Sequence, residues 1–381
     1  MRAACLITAG ILLSTPAFAQ GWRERFVDPQ DGGFDASTYL LDHRGVLPAP
    51  IIITEPAIGY GGGVALLWFS ESMREAAAAA QRAGARIAPP NIYALALVGT
   101  ENGTRAGMVG GRMSFAQDTW RYRGALGATS LNLDFYGIGG DLLPGIDKVG
   151  YNLKGILTFQ ELTRRLGESD QFLGLRFVYI DLKTRLDFGT AEDAGLGNRE
   201  LGRKGSGLGF TYVHDSRDNI FTPRTGMEAS VDGVFYSPRI GSDTTVQAWR
   251  AHAFGYVPAG ENATLALRAD ARTTNGDVPF YQLPFIELRG VPAARYQDQT
   301  TGVLEVEGRY YVTPRWIALG FIGAGRAWGR KTSFSDEGTV VTKGVGFRYL
   351  LARRLGLSIG IDIARGPEET AYYVQVGNSW R

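Results

Sequence analysis

Three adjacent residues, His214, Asp215 and Ser216, carry the side chains of a nucleophilic triad. A working triad needs all three on one proton path. Consecutive residues of an extended chain point to opposite faces, so this run reads as strand and turn, with no catalytic centre. His43 and His252 lack ligand-like spacing, and no metal site is expected. Gly61-Gly62-Gly63 is followed by neither a helical pattern nor a Lys-Ser/Thr pair, which argues against a phosphate loop. Those glycines suit a strand that bends or meets another backbone closely. No cofactor is expected either.

What remains is ionic chemistry laid out at period two. Over residues 303–312, Glu305, Glu307 and Arg309 alternate with Leu304, Val306, Tyr310 and Val312. Over 227–237, Glu228, Ser230 and Asp232 oppose Met227, Ala229, Val231 and Phe235. Over 357–363, Ser358, Gly360 and Asp362 oppose Leu357, Ile359, Ile361 and Ile363. The same pattern runs through 173–179 and 264–272. One oily face and one charged face fit a membrane barrel with a hydrated lumen. A soluble sandwich shows the same period with its faces reversed.

Further strands are expected at 51–54, 60–70, 91–100, 105–115, 120–132, 151–160, 207–214, 245–256, 316–328, 342–351 and 372–380, about sixteen in all. Beyond the leader described next, no stretch reaches about 18 uninterrupted apolar residues, so transmembrane helices are not expected. A closed all-β antiparallel barrel is then the way across a bilayer, because lipid cannot satisfy free backbone groups. A short loop helix is expected at 71–86, ended by Pro89-Pro90.

The N-terminus has the three parts of an export signal: Arg2, an apolar run at 3–13, and Ala17-Phe18-Ala19 as a cleavage site. The expected layout is a signal peptide at 1–19, a polar linker or plug at 20–48, and a barrel at 49–381. Cys5, the single cysteine, falls inside the leader, so disulfides and thiolate sites are not expected in the processed chain. The 52 glycines and the 11% aromatic content suit many strands, tight turns and interfacial rings. A net charge of +2 gives no sign of a nucleic-acid partner. Signal and pattern together point to the outer membrane of a Gram-negative bacterium.

Four stretches resemble the bacterial surface antigen family, the barrels of the outer-membrane barrel assembly factor, two-partner secretion transporters and organellar import channels. His214-Asp215-Ser216-Arg217-Asp218-Asn219, continuing through Pro223 to Gly226, is similar to the family's D-x-R-D-N…P…G strand–turn–strand element. Glu287-Leu288-Arg289-Gly290 resembles the arginine-glycine motif of a long loop that folds back into the barrel. Glu305-Val306-Glu307-Gly308-Arg309-Tyr310 resembles the E-x-R-aromatic strand. Residues 320–328 resemble the F-x-D-x-G strand, except that Gly323 stands at the usual aspartate. Phe135-Tyr136-Gly137-Ile138-Gly139-Gly140 is a weaker match to a strand end of small relatives.

The resemblance implies that Arg289 pins the loop tip to the inner wall. Glu305 and Glu307 are the candidate partners, with Glu307 or Asp362 substituting for the missing aspartate. Gly377 and Trp380 resemble the G-x-x-aromatic ending that barrel assembly machinery reads as an edge strand, here with Arg381 added. The match is to a short form, with no room before the barrel for the repeated soluble domains of larger members. Handling a client would therefore need a periplasmic partner protein. The implied function is protein or lipid translocation or insertion, with outer-membrane lipids and the assembly machinery as partners. A passive porin-like channel is the alternative, and an outer-membrane hydrolase the weakest reading.

A closed barrel keeps its compact shape in detergent until heated. Unboiled protein should therefore migrate faster in a denaturing gel than boiled protein. Identical migration of the two samples contradicts the barrel.

Overall fold

The structure is a computed structural model, and it describes residues 21, 25–82, 90–135, 149–187, 200–330, 333–335 and 338–380. Sixteen strands form one antiparallel sheet in which every strand pairs with its sequence neighbours. They are β1 (Gly45–Ile53), β2 (Gly61–Phe69), β3 (Ile92–Thr100), β4 (Arg105–Phe115), β5 (Trp120–Phe135), β6 (Val149–Arg165), β7 (Gln171–Asp187) and β8 (Glu200–Asp215). Then follow β9 (Gly226–Tyr236), β10 (Val246–Pro258), β11 (Ala263–Gly276), β12 (Thr300–Tyr311), β13 (Trp316–Trp328), β14 (Val340–Ala352), β15 (Leu357–Arg365) and β16 (Thr370–Val376). The sheet curls until β16 lies beside β1. Among the described residues no ladder of hydrogen bonds joins those two edges, so the wall has a seam.

Burial decides which face is which. Leu304 is 63% exposed, whereas its neighbour Glu305 is 1% exposed. Val306 and Glu307, and Ile361 and Asp362, repeat the contrast. The oily side chains are therefore on the outside, as a lipid-facing wall requires, and the sandwich arrangement is excluded. No described helix is long and apolar enough to cross a membrane.

Several boundaries differ from the sequence expectation. β1 starts at Gly45, ahead of the expected barrel start at 49, because Gly45–Pro48 continue the pairing with Leu66–Phe69. β5 to β8 have 16 or 17 residues. About 9–11 residues suffice to cross the hydrocarbon, so these strands project beyond it. β16 stops at Val376. The expected strand to 380 is broken because Gly377 takes φ +74 and turns the chain out of the ladder. The expected signal peptide and residues 136–140 of the weak motif lie outside the described residues.

The rim where β1 starts and β16 ends, called here the near rim, carries the N-terminal segment and the helix α1 (Ser37–Asp42). A second helix, α2 (Met73–Arg82), fills the β2–β3 connection. Arg74 of α2 pairs with Asp42 of α1 at 2.5 Å. Arg315, in the β12–β13 turn, gathers Asp28 (2.9 Å), Asp31 (2.5 Å) and Asp35 (3.0 Å). Arg353 adds a second contact to Asp28 at 2.6 Å. The amide of Ala36 donates to the Leu351 carbonyl at 2.7 Å. Residues 26–42 are thus held against the rim turns.

Hydrogen bonds from Arg315 hold the Asp31 carboxyl below its ordinary value. Burial pushes the Asp35 carboxyl up, but hydrogen bonds from Ser37, the Arg353 amide and Arg315 together bring it below the ordinary value. Carboxyls lowered in the docked state favour docking above the ordinary carboxylate range, and that contribution is lost as the pH falls through the lowered values. Arg315→Ala should release the segment at neutral pH, read as rapid proteolysis within residues 26–42 while the barrel stays intact. Wild-type protein should show the same cleavage only in strong acid. Equal resistance of variant and wild type would contradict the tether.

A buried ionic lock beneath an infolded loop

The chain between β11 and β12, residues 277–299, folds from the far rim into the lumen. Its apolar side chains Ile286, Leu288 and Val291 pack on the inner-wall residues Val303, Ala327 and Val340. At Gly290 φ is +91, and a Cβ there would meet the Gly366 amide nitrogen at 2.9 Å. A side chain at this position would have to push the loop off the wall.

This turn aims Arg289 at three buried carboxylates. Its guanidinium lies 2.8 Å from Asp362 and 2.7 Å from Glu307, and it also pairs with Glu305. It stacks 3.5 Å from the ring centroid of Phe321. Glu305 and Glu307 come from β12 and Asp362 from β15, all on inward positions set by the period of two. Two more arginines complete the group. Arg309 binds Glu307 at 2.7 Å, and Arg348 of β14 grips Asp362 at 2.6 and 2.9 Å. Three guanidiniums face three carboxylates, so the centre is neutral, as charges out of water require.

Gly323 explains how the usual aspartate can be absent. A Cβ there would lie 2.6 Å from Leu288 Cδ2 and 3.4 Å from Glu305 Cγ. The loop's Leu288 occupies the space, and Asp362 supplies the third carboxylate.

Gly377 and Trp380 occupy a different place from the edge strand expected of them. After Gly377 the chain turns inward. Asn378 accepts from Arg309 at 3.1 Å and donates to the Tyr256 hydroxyl at 2.6 Å. The Ser379 hydroxyl accepts from Arg348 at 2.8 Å. Trp380 is buried against Phe254 and Tyr256 and donates its indole N–H to Glu305 at 2.8 Å. A buried indole needs an acceptor, and the lock provides one.

The turn motif closes the same region from the near rim. Arg217 forks onto Asp215 at 2.8 and 2.9 Å. Asp218 accepts from the amides of Arg224 (3.0 Å) and Thr225 (3.2 Å). Asn219 donates to the Leu355 carbonyl at 2.9 Å, and the Pro223 carbonyl accepts from Arg309 at 3.2 Å. Gly226, at φ +91, returns the chain into β9. Asp215 is therefore committed to Arg217, and Ser216 exchanges hydrogen bonds with the Met227 backbone. His214, Asp215 and Ser216 do not converge.

The loop tip also reaches both edges of the seam. The Gly290 amide donates to the Tyr373 hydroxyl of β16 at 2.9 Å. Arg295 binds Glu368, in the β15–β16 turn, at 3.2 Å, and the Tyr296 hydroxyl reaches the same carboxylate. On the other side the Ala293 amide donates to Glu55, just beyond β1, at 3.1 Å. Burial pushes the Glu55 carboxyl up, only partly offset by the Ala293 and Ala57 amides. Neither Arg348 nor the seam contacts were anticipated. The alternation of Thr342, Gly344, Gly346 and Arg348 did mark Arg348 as facing inward.

With this geometry in hand, the chain defines a class: a sixteen-stranded antiparallel barrel whose lumen is occupied by an infolded loop. Among solved structures it is similar to BamA from Haemophilus ducreyi lacking POTRA domains 1–3, at 11% identity and a TM-score of 0.60, over 88% of this chain and 70% of that one. It is also similar to CdiB from Escherichia coli, at 10% identity and a TM-score of 0.58, over 87% of this chain and 62% of that one. CdiB from Acinetobacter baumannii gives 10% identity and a TM-score of 0.55, over 87% and 59%. The chain thus spans less than two thirds of either CdiB chain. No family model and no curated protein sequence matches it. At these identities the likeness shows the fold.

Removing Arg289 leaves three buried carboxylates sharing two guanidiniums. Breaking a buried pair from one side typically costs about 3–5 kcal/mol. Arg289→Ala should lower the temperature at which the compact gel form is lost and make bilayer conductance larger or unsteady. Arg289→Lys, which keeps charge but loses the planar fork, should fall between. An alanine variant with unchanged melting and conductance would remove the lock.

Proposed function

We propose that the chain is an outer-membrane barrel of the surface antigen type that moves or inserts protein or lipid through the β1–β16 seam, with the Arg289 loop holding lumen and seam shut. The observation that carries this reading is the unladdered junction of β1 and β16 bridged by one loop, through Tyr373 and Glu368 on one side and Glu55 on the other. Parting two strands with no mutual hydrogen bonds exposes no new backbone groups to lipid, which would otherwise cost several kcal/mol each. The barrel's outward oily face and the export signal at residues 1–19 support the location. In that membrane the near rim, with its N-terminal segment, faces the periplasm, where a partner protein would present a client.

A passive channel is the second reading, favoured by the charged cavity that persists among β4 to β10. Paired cysteines across β1 and β16 separate the two, on a chain whose single native cysteine lies at position 5. With the protein in vesicles, oxidation should abolish the accelerated insertion of an unfolded barrel protein, or the transbilayer movement of a fluorescent lipid. Small flickering conductance should persist, and reduction should restore the lost activity. A large steady conductance with no insertion or lipid movement before oxidation would instead identify the passive channel.

A further inference from the structure

The barrel also holds a cavity of about 530 Å3, walled by residues of β4 to β10 and of the turn after β8. Pockets of this size hold small organic ligands rather than single ions. Six arginines line it against four carboxylates. Most of these arginines are paired. Arg121 binds Asp118 at 2.7 Å, Arg123 binds Glu161 at 2.5 Å, and Arg217 binds Asp215 at 2.8 Å. Arg176 spans Glu161 and Asp232 at 2.7 and 2.8 Å, and Arg250 binds Asp270 at 2.8 Å. These acids are heavily shared. Glu161 serves Arg123 and Arg176, Asp118 also serves Arg165, and Asp270 also serves Arg268 and Arg272.

Arg112 is different. Among the described residues no hydrogen bond or ion pair engages it, although its side chain lines the cavity. It sits in β4 directly opposite Arg123 in β5. Like charges directly opposite each other across a ladder destabilise a sheet. Arg123 keeps half of its side chain open to the cavity. Arg112 and Arg123 thus stand at paired positions on the inner face, and Arg112 makes no close contact with an acid, although Asp118 and Asp215 lie within electrostatic range, beside a cavity much larger than an ion.

We propose that this cavity is a binding site for a phosphate-bearing molecule, with the phosphate held between Arg112 and Arg123. A phosphate supplies the close anionic contact that Arg112 lacks, and its oxygens match the forked donors of both guanidiniums. The rest of the cavity accommodates what the phosphate carries, either a soluble ester or the head group of a lipid. The site is separate from the seam, since its lining residues lie on β4 to β10 and in the turn after β8 and include none from β1, β16 or the infolded loop.

Inorganic pyrophosphate and short-chain phosphatidic acid below its micelle concentration serve as probes on the full-length protein in neutral detergent. Wild type should bind at least one of them saturably, more weakly as salt rises. Arg112→Met should weaken binding at least about tenfold, the scale of a lost charged hydrogen bond, and Arg112→Lys should weaken it less. The compact unboiled gel form checks that each variant is folded. On unmodified protein, the bound probe should shield Arg112 from phenylglyoxal, read by mass spectrometry, which needs no variant. Shielding by pyrophosphate identifies a soluble ligand, and shielding by phosphatidic acid alone identifies a lipid. No saturable binding of either probe, or equal binding by Arg112→Met, overturns the proposal.

Discussion

The interior of this barrel is governed by the cost of taking charge out of water. Glu305, Glu307 and Asp362 are almost wholly buried. A carboxylate so placed is tolerable only with opposite charge at contact distance. Arg289, Arg309 and Arg348 supply it, and they arrive from three separate stretches: the loop, β12 and β14. The loop, the inward turn after Gly377 and the 216–225 turn each bring a group onto this neutral set.

Much of the wall was legible because a barrel strand writes its two faces at a fixed period. Glu305, Glu307 and Arg309 against Leu304, Val306 and Tyr310 needed no tertiary information to be assigned. Sixteen strands follow, several with the expected ends, such as β4 and β13. The strand limits of β5 to β8 were less legible, because beyond the lipid zone the outward face is no longer oily and the alternation fades. Trp380 shows the opposite failure. Its spacing from Gly377 reads as a strand end, but one positive φ at that glycine sends the ring inward, and nothing local announces it.

The lock was half legible. Arg289 and its candidate carboxylates could be named from motif and face, and the structure gathers them within hydrogen-bond reach. The replacement at Gly323 could not be read forward, since it depends on Leu288 arriving from a loop that leaves the wall and returns. Arg348 was hidden for a related reason: a single inward arginine on a strand of small residues says nothing about which acid it will meet. The loop's grip on Glu55 and Glu368 depends on bringing β1 and β16 together, a closure that pairwise patterning cannot encode.

Every strand pairs with the strand next in sequence, and all six charges of the central set lie between residues 289 and 362. The C-terminal portion can therefore reach electrical neutrality before the first half of the chain has taken any shape. Hairpins β1 to β8 would then be added to a centre already at rest. The fold thus permits structure to form in the reverse of chain order.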